Sequence, residues 1–259
     1  AIVSVLWVQC VVVLMDTPTA TIANYRNDLW YLVLSFVVTT SAWVLLKPLL
    51  YSLKELDTLK IQYYTFLRNF NLFNTALGQN RPINTKIEEL GNSEISFGTE
   101  NAPIHILLVT NPECLYCRKA HQILNEIYSH NEKNIYLTIR FNVNTETHRK
   151  SRQVAQRLIQ LYNLSKHNVF KKALDEVYSK GINFNKWLEK WHDTDSYDFF
   201  DSILVKQRNW CMNNQINFTP ALFVNGRKYP SEYEFEHLHF FIEDLVIDSS
   251  EEILQEDTF

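Results

Sequence analysis

The chain has 259 residues, a net charge of -4 and four cysteines. Near-balanced charge supplies no basic field for nucleic acid, and four cysteines are too few for a scaffold built on disulfides at this length. The length allows one ordinary domain plus something smaller.

Apolar residues crowd into the first part of the chain. Ala1 to Met15 carries no charge and lacks the basic start and small-residue cleavage site of a signal peptide. It falls short of the roughly 20 residues that cross a bilayer. It reads as the tail of a membrane helix that begins before Ala1, with the chain a fragment of a longer protein and Cys10 a packing residue. Asp16 to Asp28 is polar and turn-rich. Leu29 to Leu46 (LWYLVLSFVVTTSAWVLL) is a second charge-free run, closed by Lys47-Pro48 and long enough with its flanks to span. Trp30, Tyr31 and Trp43 sit near its ends, where amphipathic rings favour the interface. Residues 1–50 are therefore expected to form two transmembrane helices, with a buried helical hairpin as the alternative. In residues 51–85, Tyr51 to Leu77 predicts a juxtamembrane amphipathic helix, and Gly78 to Thr85 a linker around Pro82.

The character changes near Lys86. Ile104 to Thr110 (IHILLVT) is nearly continuous in apolar residues, as in a buried central strand. His105 within it reads as a satisfied core histidine. Asn111-Pro112 breaks the run, and Cys114 to Tyr128 follows helical periodicity with Ala120, Leu124 and Ile127 on one face. Ile135 to Val143 predicts a strand. Thr147 to Trp210 predicts several helices, one marked by Val154, Leu158 and Leu161 and another by Phe170, Leu174 and Val177. Asn217 to Asn225 reads as a loop and a strand, and Asn225-Gly226 as a hairpin turn. Ser231 to Val246 predicts a last helix, with Ser231 as N-cap and Glu234 completing a capping box. Residues 86–248 are thus one domain, and 249–259 a frayed acidic tail. Strand, CxxC helix, strand, helical block, proline loop, hairpin and helix make the layout of a thioredoxin-like α/β fold with a helical insertion.

The chemistry centres on NPECLYCRK, residues 111–119. A sulfur at Cys114, in the first turn of a helix, faces unpaired N–H groups and the positive end of the helix dipole. Both favour the thiolate, the species that attacks a disulfide. Cys117 lies on the same face and can resolve the mixed disulfide. Thr219-Pro220, just before the later strand, is the candidate substrate-binding bend, where exposed backbone pairs with an extended client. An ordinary trans proline on an edge strand is the bland alternative. Zinc is the rival for the cysteines and needs two more ligands, for which His121 and Cys211 are the candidates. His121 is expected on the exposed side of the helix or packed against the insertion. Cys211, beside Trp210, reads either as a small buried residue or as a third thiol near the pair. Leu108 stands where many thioredoxins carry a buried acid, which leaves the proton acceptor unidentified.

Residues from about Ile95 to Val246, through FGTENAPIHILLVTNPECLYCRKAH and NQINFTPALFVNGRKYP, resemble the Dsb-type thioredoxin domains of bacterial disulfide-forming proteins. AIVSVLWVQCVVVL and the next apolar run look like the last two membrane helices of a bacterial vitamin K epoxide reductase homologue. Such homologues carry a second CxxC, which here would fall before Ala1. The resemblance implies a relay. The thioredoxin-like pair oxidises exported protein thiols, a membrane domain in cis reoxidises it, and electrons pass to a quinone. The thioredoxin-like domain itself would hold no cofactor. The implied location is the bacterial inner membrane, with Asp16 to Asp28 cytoplasmic and the thioredoxin-like domain outside. Positive-inside counting opposes that topology, since the loop carries only Arg26 while Lys47, Lys54 and Lys60 follow the second helix. Two other readings stand: a non-catalytic, membrane-anchored binding module whose CxxC is structural, and a zinc-stabilised domain.

Overall fold

The computed structural model describes residues 26–146, 149–192 and 198–256. The first apolar run, with Cys10, lies outside the described residues. The chain divides into two compact units, the second starting at Leu67.

The described part of the first unit is one helix, α1 (Arg26–Leu67), of 42 residues. The sequence places a stop at Lys47-Pro48, yet the helix runs through Pro48. Its Val33–Leu67 stretch is long and apolar enough to cross a membrane: an 18-residue segment within it has a mean hydropathy of 1.7, and none of that segment is buried. At 1.5 Å per residue the whole helix is about 60 Å long, roughly twice a bilayer's hydrocarbon core. Only its charge-free part, up to Leu46, has the composition of a span; Lys54, Glu55, Asp57 and Lys60 mark the rest as solvated. Among the described residues this is one apolar helix, where the sequence predicts two.

The amphipathic stretch ends earlier than its periodicity predicts. Asn69 stops it by accepting the Leu72 N–H at 3.3 Å, which starts α2 (Phe70–Gln79). Helix α2 belongs to the second unit. Phe73 is fully buried there and stacks on Phe241 at 4.1 Å. The expected linker is bonded structure rather than a tether. Ile83 N–H donates to the Gly226 carbonyl at 2.9 Å, and Trp210 Nε1 donates to the Asn84 carbonyl at 2.9 Å.

The sheet holds β1 (Ile95–Phe97), β2 (Ile104–Thr110), β3 (Ile135–Phe141), β4 (Ala221–Val224) and β5 (Arg227–Lys228), in the order β1-β3-β2-β4-β5. Strands β2 and β3 are parallel, joined through α3 (Leu115–His130); the other pairings are antiparallel. The period of two sorts β2 cleanly. Ile106 and Leu108 face α2, α3 and the C-terminal helix, while Leu107 and Val109 face Cys211 and Phe223. Asn225 and Gly226 both take positive φ, as a two-residue hairpin turn requires.

Among the described residues between β3 and β4 there are four helices: α4 (Lys150–Leu164), α5 (His167–Val177), α6 (Phe184–Lys190) and α7 (Asp198–Asn213). Phe170, Ala173, Leu174 and Val177 of α5 are buried at helical spacing against α4 residues Val154, Leu158 and Leu161. The C-terminal element begins later than the sequence predicts. Glu234, not Ser231, caps a 3-10 segment (Phe235–Phe240) in a capping box with His237. Helix α8 (Ile242–Glu256) follows, so helical backbone continues through most of the expected tail.

One buried ion pair ties the second unit's entry segment to its sheet. Arg140, on β3, is wholly buried and donates to both Glu94 carboxylate oxygens, at 2.6 and 2.8 Å, and to the Thr85 carbonyl at 2.7 Å. Its guanidinium also stacks over Trp210 at 4.0 Å. Removing the carboxylate strands a buried cation, which costs about 3–5 kcal/mol. Glu94→Ala is therefore expected to lower the melting temperature by roughly 6–20 °C, at about 2–4 °C per kcal/mol for a domain of this size. A change under 2 °C in a thermal melt, a bound set by these same magnitudes at roughly half a kcal/mol, contradicts the assignment.

Candidate active site

The site is assembled where β2 runs out. At its end, Cys114 N–H donates to the Asn111 carbonyl at 3.0 Å, closing a turn with Pro112 at its second position. Asn111 Oδ1 accepts the Glu113 N–H at 3.0 Å. The turn delivers Cys114 to the N-cap of α3, where its sulfur accepts the Cys117 N–H at 3.2 Å. A thiol thus takes the place usually held by a Ser, Asp or Asn oxygen.

The second contact comes from far along the chain. Cys114 Sγ donates to the Thr219 carbonyl at 3.3 Å. The Thr219–Pro220 peptide is cis, and Pro220 lines a shallow groove with Tyr116, Lys119, Ile123 and Phe235. Lys119 forms an ion pair with Glu236 at the groove's edge. Leu115 and Tyr116, between the cysteines, are 74% and 80% exposed, and Phe218 is half exposed. The pair therefore sits under an apolar, solvent-facing rim.

The two sulfurs differ in environment. Cys114 is partly exposed, whereas Cys117 is 0% exposed and belongs to the same cluster as Ile139, Phe141 and Val154. Burial, reinforced by the hydrogen bond with Cys114, pushes the Cys117 thiol up to about 12, against pulls from Thr110, the Asn111 backbone and Thr219. At neutral pH Cys117 keeps its proton.

The remaining sequence candidates are placed as follows. His121 is buried in α3 and packs against the insertion, the second of its two expected places; it stacks on Tyr178 at 3.5 Å and bonds to Thr110 Oγ1 at 3.1 Å. Burial holds it in the neutral form, at about 3. Cys211 is buried in a different cluster, on the sheet face with Leu107 and Val109, and burial raises its thiol to about 11. Trp210 packs edge-on against Phe223 and over Arg140. Neither joins Cys117's cluster. Among the described residues no three His, Cys, Asp or Glu side chains gather as a metal site would require. His105 is half-buried and bonded to the Glu100 carbonyl at 2.9 Å, at the far end of β2 from the cysteines.

Sequence reasoning missed Asn142. It follows β3, and its N–H donates to the Thr110 carbonyl at 2.8 Å. Its carbonyl accepts Asn111 Nδ2 at 3.0 Å, and its own Nδ2 donates to the Ile216 carbonyl at 2.9 Å. One buried amide thus clamps the cysteine loop and the proline loop to the same strand end. An asparagine just past a strand is too common a sequence feature to have flagged this.

Residues 91–244 match the Thioredoxin family, and the chain belongs to it. Three solved structures share the fold. A periplasmic thioredoxin-like protein from Salmonella enterica serovar Typhimurium matches with a TM-score of 0.51 at 12% identity, over 68% of this chain and 97% of that one. Proteus mirabilis ScsC in a transitional conformation matches with 0.52 at 12% identity, over 87% and 99%. The catalytic domain of the same protein matches with 0.52 at 13% identity, over 68% and 99%. No curated protein matches the chain.

The asymmetry of the sulfurs predicts their reactivity. With reduced, folded protein at pH 8, Cys114 is expected to alkylate at least tenfold faster than Cys117 or Cys211, because burial keeps the latter two as unreactive thiols. Peptide mapping after a timed iodoacetamide pulse reads the ratio; equal labelling of Cys114 and Cys117 contradicts it.

Proposed function

We propose that the second unit is a thiol-disulfide oxidoreductase acting on protein thiols or disulfides, with Cys114 as the sulfur that meets the client and Cys117 as the one that resolves. The observation that carries this reading is the joint position of Cys114 Sγ. It accepts from the start of α3 and donates to the Thr219 carbonyl beside a cis proline, under an exposed apolar rim. A purely structural cysteine pair needs no such opening. As a thiolate, Cys114 attacks a client disulfide and one client sulfur leaves. Cys117 then attacks Cys114, the bond to the client breaks, and the pair is left oxidised. Run backwards, the same steps oxidise a client dithiol. Thr219 and Pro220 present backbone on which an extended client segment can lie, as in strand addition.

The apolar part of α1 supports a membrane tether, with the lipid bilayer as its partner and the oxidoreductase unit on the extracytoplasmic side, where disulfides persist. The proposal extends to reoxidation by a quinone-linked membrane domain like that of the vitamin K epoxide reductase homologues. The stretch that carries this second resemblance begins at Ala1, and most of it lies outside the described residues.

The reading is tested by trapping. Cys117→Ala removes the resolving sulfur and is expected to accumulate a mixed disulfide through Cys114 when mixed with a cysteine-bridged peptide, seen as a reducible band shift. Cys114→Ala is expected to form none. A Cys117→Ala protein that stays free in excess peptide at pH 8 rules the reading out. Separately, the full chain expressed in bacteria is expected to remain in the membrane fraction after carbonate washing, whereas residues 67–259 alone are expected in the supernatant.

A further inference from the structure

Cys117 has a proton to lose, and Leu108, where the family resemblance would place an acid, is an apolar residue buried in the core. What lies below the sulfur instead is the last residue of β2. Thr110 is fully buried, and its hydroxyl pulls the Cys117 thiol downward against the effect of burial. Thr110 Oγ1 also lies 3.1 Å from His121 Nε2 and 3.1 Å from the Tyr178 hydroxyl. A hydroxyl has one proton and two lone pairs, so these three neighbours use its whole capacity. With His121 neutral and protonated at Nδ1, every bond points one way. Tyr178 O–H donates to Thr110 and Thr110 O–H donates to Nε2, which leaves one Thr110 lone pair for the proton of Cys117.

The far side of His121 is open. The ring and Tyr178 line a cavity of about 280 Å³ that also touches Asn125, Lys171, Asp175 and Ser179. Asn125, Asp175 and Ser179 are exposed, so the cavity reaches solvent between α3 and α5. The titratable groups around His121 are Cys117 above, Tyr178 stacked on it, Lys171 and Asp175 from α5, and Tyr128 from α3; β2 and β3 contribute only Leu108, Leu137 and Ile139 to the cavity.

We infer that Thr110 and His121 carry the proton to and from Cys117, with Tyr178 as the positioning residue and the α3–α5 cavity as the exit. The inference rests on the thiol-disulfide reading above. In the resolving step the Cys117 proton passes to Thr110 Oγ1, the Thr110 proton passes to Nε2, and the Nδ1 proton leaves to solvent in the cavity. The Cys117 thiolate forms its bond to Cys114 Sγ, the Cys114–client bond breaks, and the client sulfur departs with the electron pair. In the reverse direction the client thiolate attacks Cys114, and the same chain returns a proton to Cys117. His121 suits this role because it is buried and neutral. It passes a proton on rather than storing one.

The test uses dithiobis(nitrobenzoate) with the reduced 259-residue chain in detergent, in a Cys10→Ser background. Capture by Cys114 releases one thionitrobenzoate, and attack by Cys117 on the mixed disulfide releases the second, so stopped-flow absorbance separates the steps. Thr110→Val and His121→Phe are expected to slow the second release about tenfold to a hundredfold relative to the first at pH 7, the scale of general acid–base assistance. In these variants the second rate should climb about tenfold per pH unit as hydroxide takes over, whereas the wild-type profile is flatter. Thr110→Ser, which keeps the hydroxyl, should restore the wild-type rate and profile. Tyr178→Phe keeps the stacked ring and should lose less than either; it carries the test if Thr110→Val fails to fold. An unchanged second phase, or an equal slowing at every pH with no rescue by serine, overturns the relay. Absence of the first phase in the wild type instead defeats the oxidoreductase reading itself.

Discussion

Everything at the site turns on where one sulfur is held. Cys114 Sγ takes the place of a capping oxygen at the start of α3, accepting the Cys117 N–H at 3.2 Å, and meets the Thr219 carbonyl at 3.3 Å. These partners come from opposite ends of the domain's sequence and would drift apart without a shared anchor. Asn142 supplies it, with one bond to each loop and one to the end of β2. An unmade bond in such a buried network leaves polar groups unsatisfied, so its members hold together or fail together. The order of the sheet has the same consequence. With β2 between β3 and β4, its C-terminal end lies beside both the β3 exit and the β4 entrance. The cysteine turn, Asn142 and the proline bend are therefore neighbours by topology before any side chain is considered.

The helical insertion does more than cover the sheet. Helix α5 packs its apolar stripe into the core that contains Cys117, and just beyond that stripe Tyr178 is set against His121 and Thr110. Burying the resolving sulfur and providing polar company beneath it are thus two effects of one packing arrangement. A sulfur in purely apolar surroundings would keep its proton and have nowhere to send it. A sulfur open to water would compete with Cys114 for the client.

The sequence made the backbone plan readable wherever one period dominated. Ile104 to Thr110 reads as a buried strand from its short apolar run, and Ala120, Leu124 and Ile127 mark the inner face of α3. Asn225-Gly226 named its turn, because both residues must take positive φ there. What escaped was set by tertiary contact. Strand β1 has three residues and no readable period; it exists because it pairs with β3. Pro48 looked like a stop but sits within a continuous helix. Ser231 fits a capping box by pattern, yet Glu234 fits the observed chain path better, since the stretch before it carries Tyr229 and Tyr233 into the core. Gly78 to Thr85 reads as a linker by composition and is bound because Arg140, Trp210, Gly226 and Arg227 reach its backbone. At the site, the CxxC and the proline were legible as motifs. The Thr110–His121–Tyr178 cluster was not, because a histidine one turn after a cysteine and a tyrosine just past the end of a distant helix share no spacing.

On the proposed reading, the unequal burial of the two sulfurs also keeps their roles from being exchanged. A client disulfide is bulky and must approach through solvent, so the sulfur it meets has to be reachable, and Cys114 alone is. The second attack is intramolecular and needs no access, only a short path and a place for the proton. Desolvation, which would cripple an attacking thiol facing water, is tolerable for Cys117 because its target is delivered to it. The same desolvation protects the step, since a buried sulfur is not intercepted by other thiols while the mixed disulfide waits. What burial takes away is easy proton loss, and in the proposed relay the Thr110–His121 pair beside the α3–α5 cavity answers that need.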